Sequence, residues 1–150
     1  MRPTLEVRVR TARHTDLAAA ARLLARDPAD PDAELDVDYL RNLLFVPSAT
    51  VVVAEAERRI VGIGVLAIRP SVRSGPFVGI VDELAIERAG LDAAERRRVA
   101  DDIVGHLATS ARNKGCTRVE VTEPLASAEP SLWKRLGFAS RGRTLGRSIG

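Results

Sequence analysis

Residues 99–122 read "VADDIVGHLATSARNKGCTRVEVT". Ala100, Ile103, Val104, Leu107, Ala108 and Ala111 recur at three- and four-residue intervals, the apolar stripe of a helix lying on a core. Asn113-Lys114-Gly115 supplies the stop, because glycine readily takes the left-handed conformation in which many helices end. "CTRVEVT" (Cys116 to Thr122) then reads as a strand. Ahead of the helix, "FVGIVDELAIE" (Phe77 to Glu87) is another strand, apolar apart from Asp82 and Glu83 near its middle. Strand, long helix and strand in this order predict a right-handed parallel crossover.

Working back from Phe77, "RSGP" breaks the chain. Residues 49–70, "ATVVVAEAERRIVGIGVLAIRP", predict a hairpin of two apolar strands around the polar turn Glu55 to Arg59. "DVDYLRNLLF", capped by Asp36 or Asp38 and ending before Pro47, predicts a helix. The preceding "DPADPDAELD" is a polar connection. An amphipathic helix carries Leu17, Ala20, Ala21 and Leu24 at helical spacing, with Thr15 or Asp16 as its cap and Pro28 as its end. "LEVRVRTA" (Leu5 to Ala12) alternates apolar and charged residues as a strand with one buried face. After the crossover, "SAEPSLWKRLGF" predicts a short helix with Pro130 in its first turn and Gly137 closing it. The last dozen residues allow one or two short strands. The order is β-α-α-β-β-β-α-β-α-β. It predicts an α/β (α+β) domain over residues 1–150, with a mixed sheet of about six to seven strands and helices on both faces.

Composition narrows the function. Hydrophobic residues make up 45% and charged residues 29% of the 150, ordinary for one globular domain. No apolar run reaches the ~18 residues of a membrane span, and the N-terminus lacks a signal-peptide core. One cysteine, Cys116, forms no internal disulfide, and no Cys/His spacing suggests a metal site, so a cytoplasmic location is expected. All but Lys114 and Lys134 of the 23 basic residues are arginine. Arginine's planar fork suits phosphates and carboxylates, although arginines on a solvated surface explain the bias equally. Aromatic residues are 3% of the chain, which argues against nucleic acid as a partner.

Taken together, "VDELAIE", "ARNKGCTRVEV" and "SLWKRLGF" resemble the GNAT superfamily of N-acetyltransferases, in that family's order and spacing. Leu84-Ala85-Ile86 corresponds to its "LAV" strand, Ala111 to Cys116 to its helix end, and Leu136-Gly137-Phe138 to its "LGF". "VRVRTARHTDLAAAARLL" is similar to its opening strand and helix. The resemblance implies acetyl-CoA as cosubstrate, in a cleft where the fourth and fifth strands splay apart. It further implies pantetheine along Leu84, Ala85 and Ile86, pyrophosphate at the start of the following helix, and direct attack by an amine on the thioester. A small-molecule or peptide amine is then the acceptor.

The family's phosphate pattern, Arg/Gln-x-x-Gly-x-Gly/Ala, falls on Glu95-Arg96-Arg97-Arg98-Val99-Ala100. Ala100 is compatible with it. Glu95 has the opposite charge and Arg98 replaces a glycine, so the motif is degenerate. Glycine serves there by letting backbone amides approach an anion. Arg96, Arg97 and Arg98 offer guanidinium groups instead. Asp92 and Glu95 have capping-box spacing, which predicts a helix beginning early, with its first amides satisfied by its own carboxylates.

Asp82 and Glu83 are the candidate catalytic carboxylates. Unpaired, a charge in an apolar strand would cost several kcal/mol, so each is either functional or bonded to a neighbouring arginine. Alternation places Asp82 on the face of Leu84 and Ile86, with Glu83 opposite. The tyrosine that often serves the family as general acid falls on Trp133, whose indole N–H gives no proton near neutrality. Trp133 is expected in the core or against pantetheine. Tyr39 is an acceptor-side candidate, His14 and His106 are expected on solvated faces, and Cys116 is expected to be inert packing. The expected function is acetyl transfer from acetyl-CoA to an amine. The alternative is a non-catalytic binding or regulatory domain of the same fold, with a homodimer as its expected assembly.

Overall fold

The computed structural model describes residues 4–25, 37–142 and 144–149. Its strands are β1 (Arg8–Thr11), β2 (Ala49–Ala56), β3 (Arg59–Pro70), β4 (Phe77–Ile86) and β5 (Cys116–Val121). Its helices are α1 (Leu17–Ala25), α2 (Val37–Leu43), α3 (Ala93–Asn113), α4 (Leu125–Ala128) and α5 (Pro130–Arg135), with a 3-10 turn at His14–Asp16 leading into α1. The strands form one sheet in the order β1-β2-β3-β4-β5. Neighbours are antiparallel up to β4, and β4 pairs with β5 in parallel across α3.

Each face of the sheet has its own core. Val52, Ala54, Leu66, Val81 and Leu84 pack against Val99, Ile103 and Leu107 of α3. Val51, Val53, Ile63, Val65 and Ala85 pack against Leu17, Ala20 and Leu24 of α1 and Leu40 of α2. Strand alternation delivers both sets, so the sheet is buried on both sides as a mixed sheet should be.

α3 sits on bare backbone. A Cβ on Gly64 would overlap Ile103 Cγ2 and stand 3.1 Å from Leu107 Cδ1, and one on Gly62 would stand 2.8 Å from Ile103 Cδ1. Both Ile103 and Leu107 are fully buried, so neither can swing aside. Gly64→Ala is expected to lose about 1–3 kcal/mol to overpacking. Gly105 is on the exposed side of α3, and a methyl group there would meet nothing within 4 Å. Gly105→Ala is expected to gain about 0.4–1 kcal/mol by restricting the unfolded chain. Denaturant melts of the two variants should shift in opposite directions.

Three expectations need correction. The described residues form five strands, not six to seven, and residues 139–142 and 144–149 form none. That tail is exposed throughout. Its arginines and glycines leave only Leu145 and Ile149 as large apolar side chains, too little to offset ordering its backbone. The helix expected over 127–138 is two pieces, α4 and α5, with Pro130 at the first position of α5 as anticipated. Asp16 lies in the 3-10 turn rather than capping α1 directly; its carboxylate accepts from Arg13 N at 2.7 Å. Asp38 falls inside the first turn of α2, while Pro28, Asp36 and the polar connection lie outside the described residues. The β2–β3 turn runs through Glu57 and Arg58 in the left-handed region, φ 50° and 63°.

Candidate active site

β4 and β5 are paired over only half of β4. Their register runs from Phe77 with Cys116 to Val81 with Val121, and β4 continues to Ile86 with no strand along that edge among the described residues. The parallel pair therefore opens into a cleft beside residues 82–86. A cavity of about 610 Å³ occupies it, within the usual range for a small-molecule site.

β4 changes character at the point of opening. Val81 pairs with Leu66 and Glu83 with Val65, so Asp82 is an additional residue without a partner on β3. This is a β-bulge, a device that re-aims side chains and is common beside functional sites. It corrects the alternation: Val81 and Leu84 both belong to the α3-side core, although three residues apart. Glu83 is opposite Leu84 as expected, in step with Ala85 on the α1 side. It is half-buried, and Asp82 is exposed.

One wall of the cavity is the end of β4, with Leu84, Ala85 and Ile86. A second is one face of α3. Ala93, Arg96, Arg97 and Ala100 line the cavity, the i, i+3, i+4, i+7 pattern of a single helical face. The third comes from α4 and α5, with Leu125, Leu132, Trp133 and Arg135. Trp133 is 4% exposed. Its indole N–H donates to the Leu125 carbonyl at 2.9 Å, and its ring meets Phe138 edge-on at 5.3 Å. It is thus both core and cavity wall, with its one donor already used.

The start of α3 follows the capping-box spacing. Asp92 Oδ1 accepts from Glu95 N at 2.8 Å, and Glu95 Oε1 accepts from Asp92 N at 3.0 Å. The helix begins at Ala93, so the six residues aligned with the phosphate pattern are helix rather than loop. The three arginines then diverge by helical geometry. Arg96 donates to the Leu91 carbonyl at 3.1 Å, bracing the preceding loop. Arg97 is exposed and faces the cavity. Arg98 points the other way and donates to the Leu5 carbonyl.

Of the sequence-derived residues, Leu84, Ala85, Ile86, Arg96, Arg97, Ala100 and Trp133 share the cavity lining, whereas Arg98, Asp82 and Glu83 are outside it. Tyr39 is 64% exposed on α2. Burial pushes the Cys116 thiol above its ordinary pKa, as befits a packing residue. Sequence reasoning missed Arg88, Glu87 and Arg135, all in the lining. Glu87 is neutralised by Arg59, whose Nη2 donates to Oε2 at 2.8 Å. The available signal was helical spacing: Arg135 follows Leu132 by three residues and so lies on the same side of α5.

The model of the acetyltransferase (GNAT) family matches residues 17–138. The chain belongs to the GNAT acetyltransferase family. No curated protein sequence matches it. Among solved structures, a transcriptional regulator from Bacillus halodurans C-125 is 19% identical, with a TM-score of 0.80 over 96% of this chain and 100% of that one. The aminoglycoside N-acetyltransferase AAC(6')-Iy in complex with CoA is 16% identical, with a TM-score of 0.78 over 99% and 98%. A ribosomal-protein-alanine N-acetyltransferase from Brucella melitensis biovar Abortus 2308 is 18% identical, with a TM-score of 0.75 over 97% and 100%. At such identities the likeness is one of fold. Among the described residues no helix of this GNAT chain is long and apolar enough to cross a membrane, and no cluster of metal-ligating side chains occurs.

Proposed function

We propose that this GNAT chain transfers an acetyl group from acetyl-CoA to an amine of a small molecule or peptide. The observation that carries the reading is the half-paired β4/β5 junction, with a cavity bounded by the β4 edge and the arginine-bearing face of α3. The residues fit the donor. The unpaired edge of residues 82–86 has backbone groups for an amide-rich arm, and Arg88, Arg96 and Arg97 bring positive charge to the cavity. Bound there, acetyl-CoA supplies the activated acyl group as a thioester.

The chain's own work is positioning and proton transfer. Leu84, Ala85, Ile86 and Trp133 offer a largely apolar wall that excludes water. Asp82, at the bulge where the cleft opens, accepts the proton of the acceptor's ammonium through a water and so frees its lone pair. Glu83 is the second carboxylate, on the α1 side. AAC(6')-Iy and the ribosomal-protein-alanine N-acetyltransferase act on amines by their names, which supports the acceptor class proposed here.

Calorimetric titration and thermal melts with acetyl-CoA test the reading. Saturation at ~100 times Kd should add about 2.7 kcal/mol of stability, a rise of roughly 5–10 °C in Tm for a domain of this size. The rise should shrink with salt, because guanidinium contacts at an open cleft are screened. No shift at millimolar acetyl-CoA and low salt would reject the enzyme reading. The capping box would then have displaced the donor, leaving a non-catalytic binding domain.

A further inference from the structure

The sheet has a second open edge, at the end away from the cleft. β1 stands first in the strand order, and nothing pairs with its outer edge among the described residues. β1 is antiparallel to β2, and Ala12 N donates to Val51 O. Hydrogen-bonded pairs alternate in such a ladder, so Arg8 and Arg10 turn their backbone groups to β2 while Val7 and Val9 turn theirs outward. Val7 and Val9, both half-buried, also line a shallow groove of about 400 Å³ against α3. Asp102, Gly105 and His106 are on its α3 wall. Asp102 is exposed and has no hydrogen bond or ion pair among the described residues. Gly105 leaves a gap, since a Cβ there would meet nothing within 4 Å. A glycine inside a helix is about 1 kcal/mol less favourable than alanine, and close approach by another chain is a reason to keep one.

One segment of the chain has the complementary pattern. In "TLGRSI" (Thr144 to Ile149) small and large residues alternate strictly. As a strand it places Leu145, Arg147 and Ile149 on one face and Thr144, Gly146 and Ser148 on the other. In the single chain the segment is exposed throughout and forms no strand. We propose that this segment of a second copy adds to the outer edge of β1, and that the exchange is reciprocal, giving a two-fold dimer. The added strand supplies backbone partners for Val7 and Val9. Its large face enters the groove, where Leu145 and Ile149 cover the two valines and the Gly105 gap, and Arg147 pairs with Asp102. Neighbours on one strand face are about 6.6 Å apart, and Asp102 and Gly105 are about 4.5 Å apart along the helix. Arginine's long stem absorbs the difference. An apolar residue flanks Arg147 two places away on both sides, so the match holds for either strand direction. The small face passes the exposed side chain of Arg8, which alternation puts opposite the groove. The β5 edge is a poorer host for an arginine-bearing strand. It carries Arg118, and its carboxylate Glu120 is already bonded to Arg69 and Arg118.

Sedimentation velocity of the intact protein over a wide concentration range tests the dimer. The mass should rise from 16.2 kDa to twice that value. Leu145→Asp, Asp102→Arg and Arg147→Asp should each weaken association about tenfold or more. All three residues are exposed, so the fold of the single chain should survive, which thermal melts would verify. The double variant Asp102→Arg/Arg147→Asp should recover the dimer, because the reversal restores the ion pair. A wild type that stays at 16.2 kDa throughout would overturn the proposal. A dimer that survives both Leu145→Asp and Asp102→Arg would use another face and also overturn it. Failure of the double variant to recover would break the assignment of Arg147 to Asp102, and the placement of the segment in the groove with it. None of these outcomes depends on acetyl-CoA, so this measurement and the donor titration fail separately.

Discussion

Replacing Asp82 by asparagine is expected to lower kcat for acetyl transfer by about 10²–10⁴-fold, the usual contribution of a positioned proton acceptor. The KM for acetyl-CoA should change little, because Asp82 is outside the cavity lining that would hold the donor. The expectation follows from its place in the strand. Asp82 is the unpaired residue of the β4 bulge, immediately after the last β4–β5 pair at Val81 and Val121. A carboxylate at that fork stands where the sheet stops being a sheet and becomes a site. Steady-state kinetics across pH would check it. A variant that keeps most of its activity at mildly alkaline pH would shift the role to Glu83, or to an amine that arrives already neutral.

Asp16→Ala should destabilise the domain by about 1–3 kcal/mol, the range for leaving a part-buried hydrogen-bonding group without its partner. Arg10 donates to Asp16 Oδ2 at 2.7 Å and Oδ1 at 3.0 Å, and to Glu55 Oε2 at 2.9 Å. Asp16 is 7% exposed, so losing it strands Arg10 in a poorly hydrated place with Glu55 alone. The bonds from Arg10 hold the Asp16 carboxyl below its ordinary value of 3.8. A carboxylate with a depressed folded pKa contributes stability in full above its unfolded pKa and loses it as pH falls through the folded one. The wild type should therefore lose this contribution below about pH 4, and Asp16→Ala should show a flatter acid limb. Urea melts over a pH series would measure both. An unchanged midpoint for the variant would mean that Glu55 alone satisfies Arg10.

Local features of the sequence carry over to the structure; features fixed by distant partners do not. The α3 stripe and the Asp92/Glu95 box depend on residues within a turn of each other, and both are visible in the spacing. The order of elements gives the parallel β4–β5 crossover, whereas its half-open state is implied only by the family resemblance. The bulge at Asp82 is invisible, because an inserted residue leaves no mark in an apolar strand until its partner strand is known. The fate of three consecutive arginines is equally hidden. Arg98 turns away because its acceptor is Leu5, 93 residues distant in sequence. Arg135 enters the cavity through a helix whose placement only the tertiary fold decides. The expected tail strands fail for an energetic reason, since Leu145 and Ile149 lie 79% and 85% exposed.

The parallel junction has a consequence for how the chain reaches this state. β2, β3 and β4 follow one another as a meander, and each pairs with its sequence neighbour. β5 must instead be brought to β4 across the whole of α3, joining Phe77 to Cys116. Contacts between near neighbours in the chain close quickly, whereas distant ones wait on the entropy of a larger loop. The meander can therefore assemble first, with β5, α4 and α5 arriving afterwards on an edge already in place. β1 reaches β2 across an even longer stretch, Arg8 to Glu55, so both outer strands of the sheet are expected to close after the meander, and the cleft is built on one of these late edges.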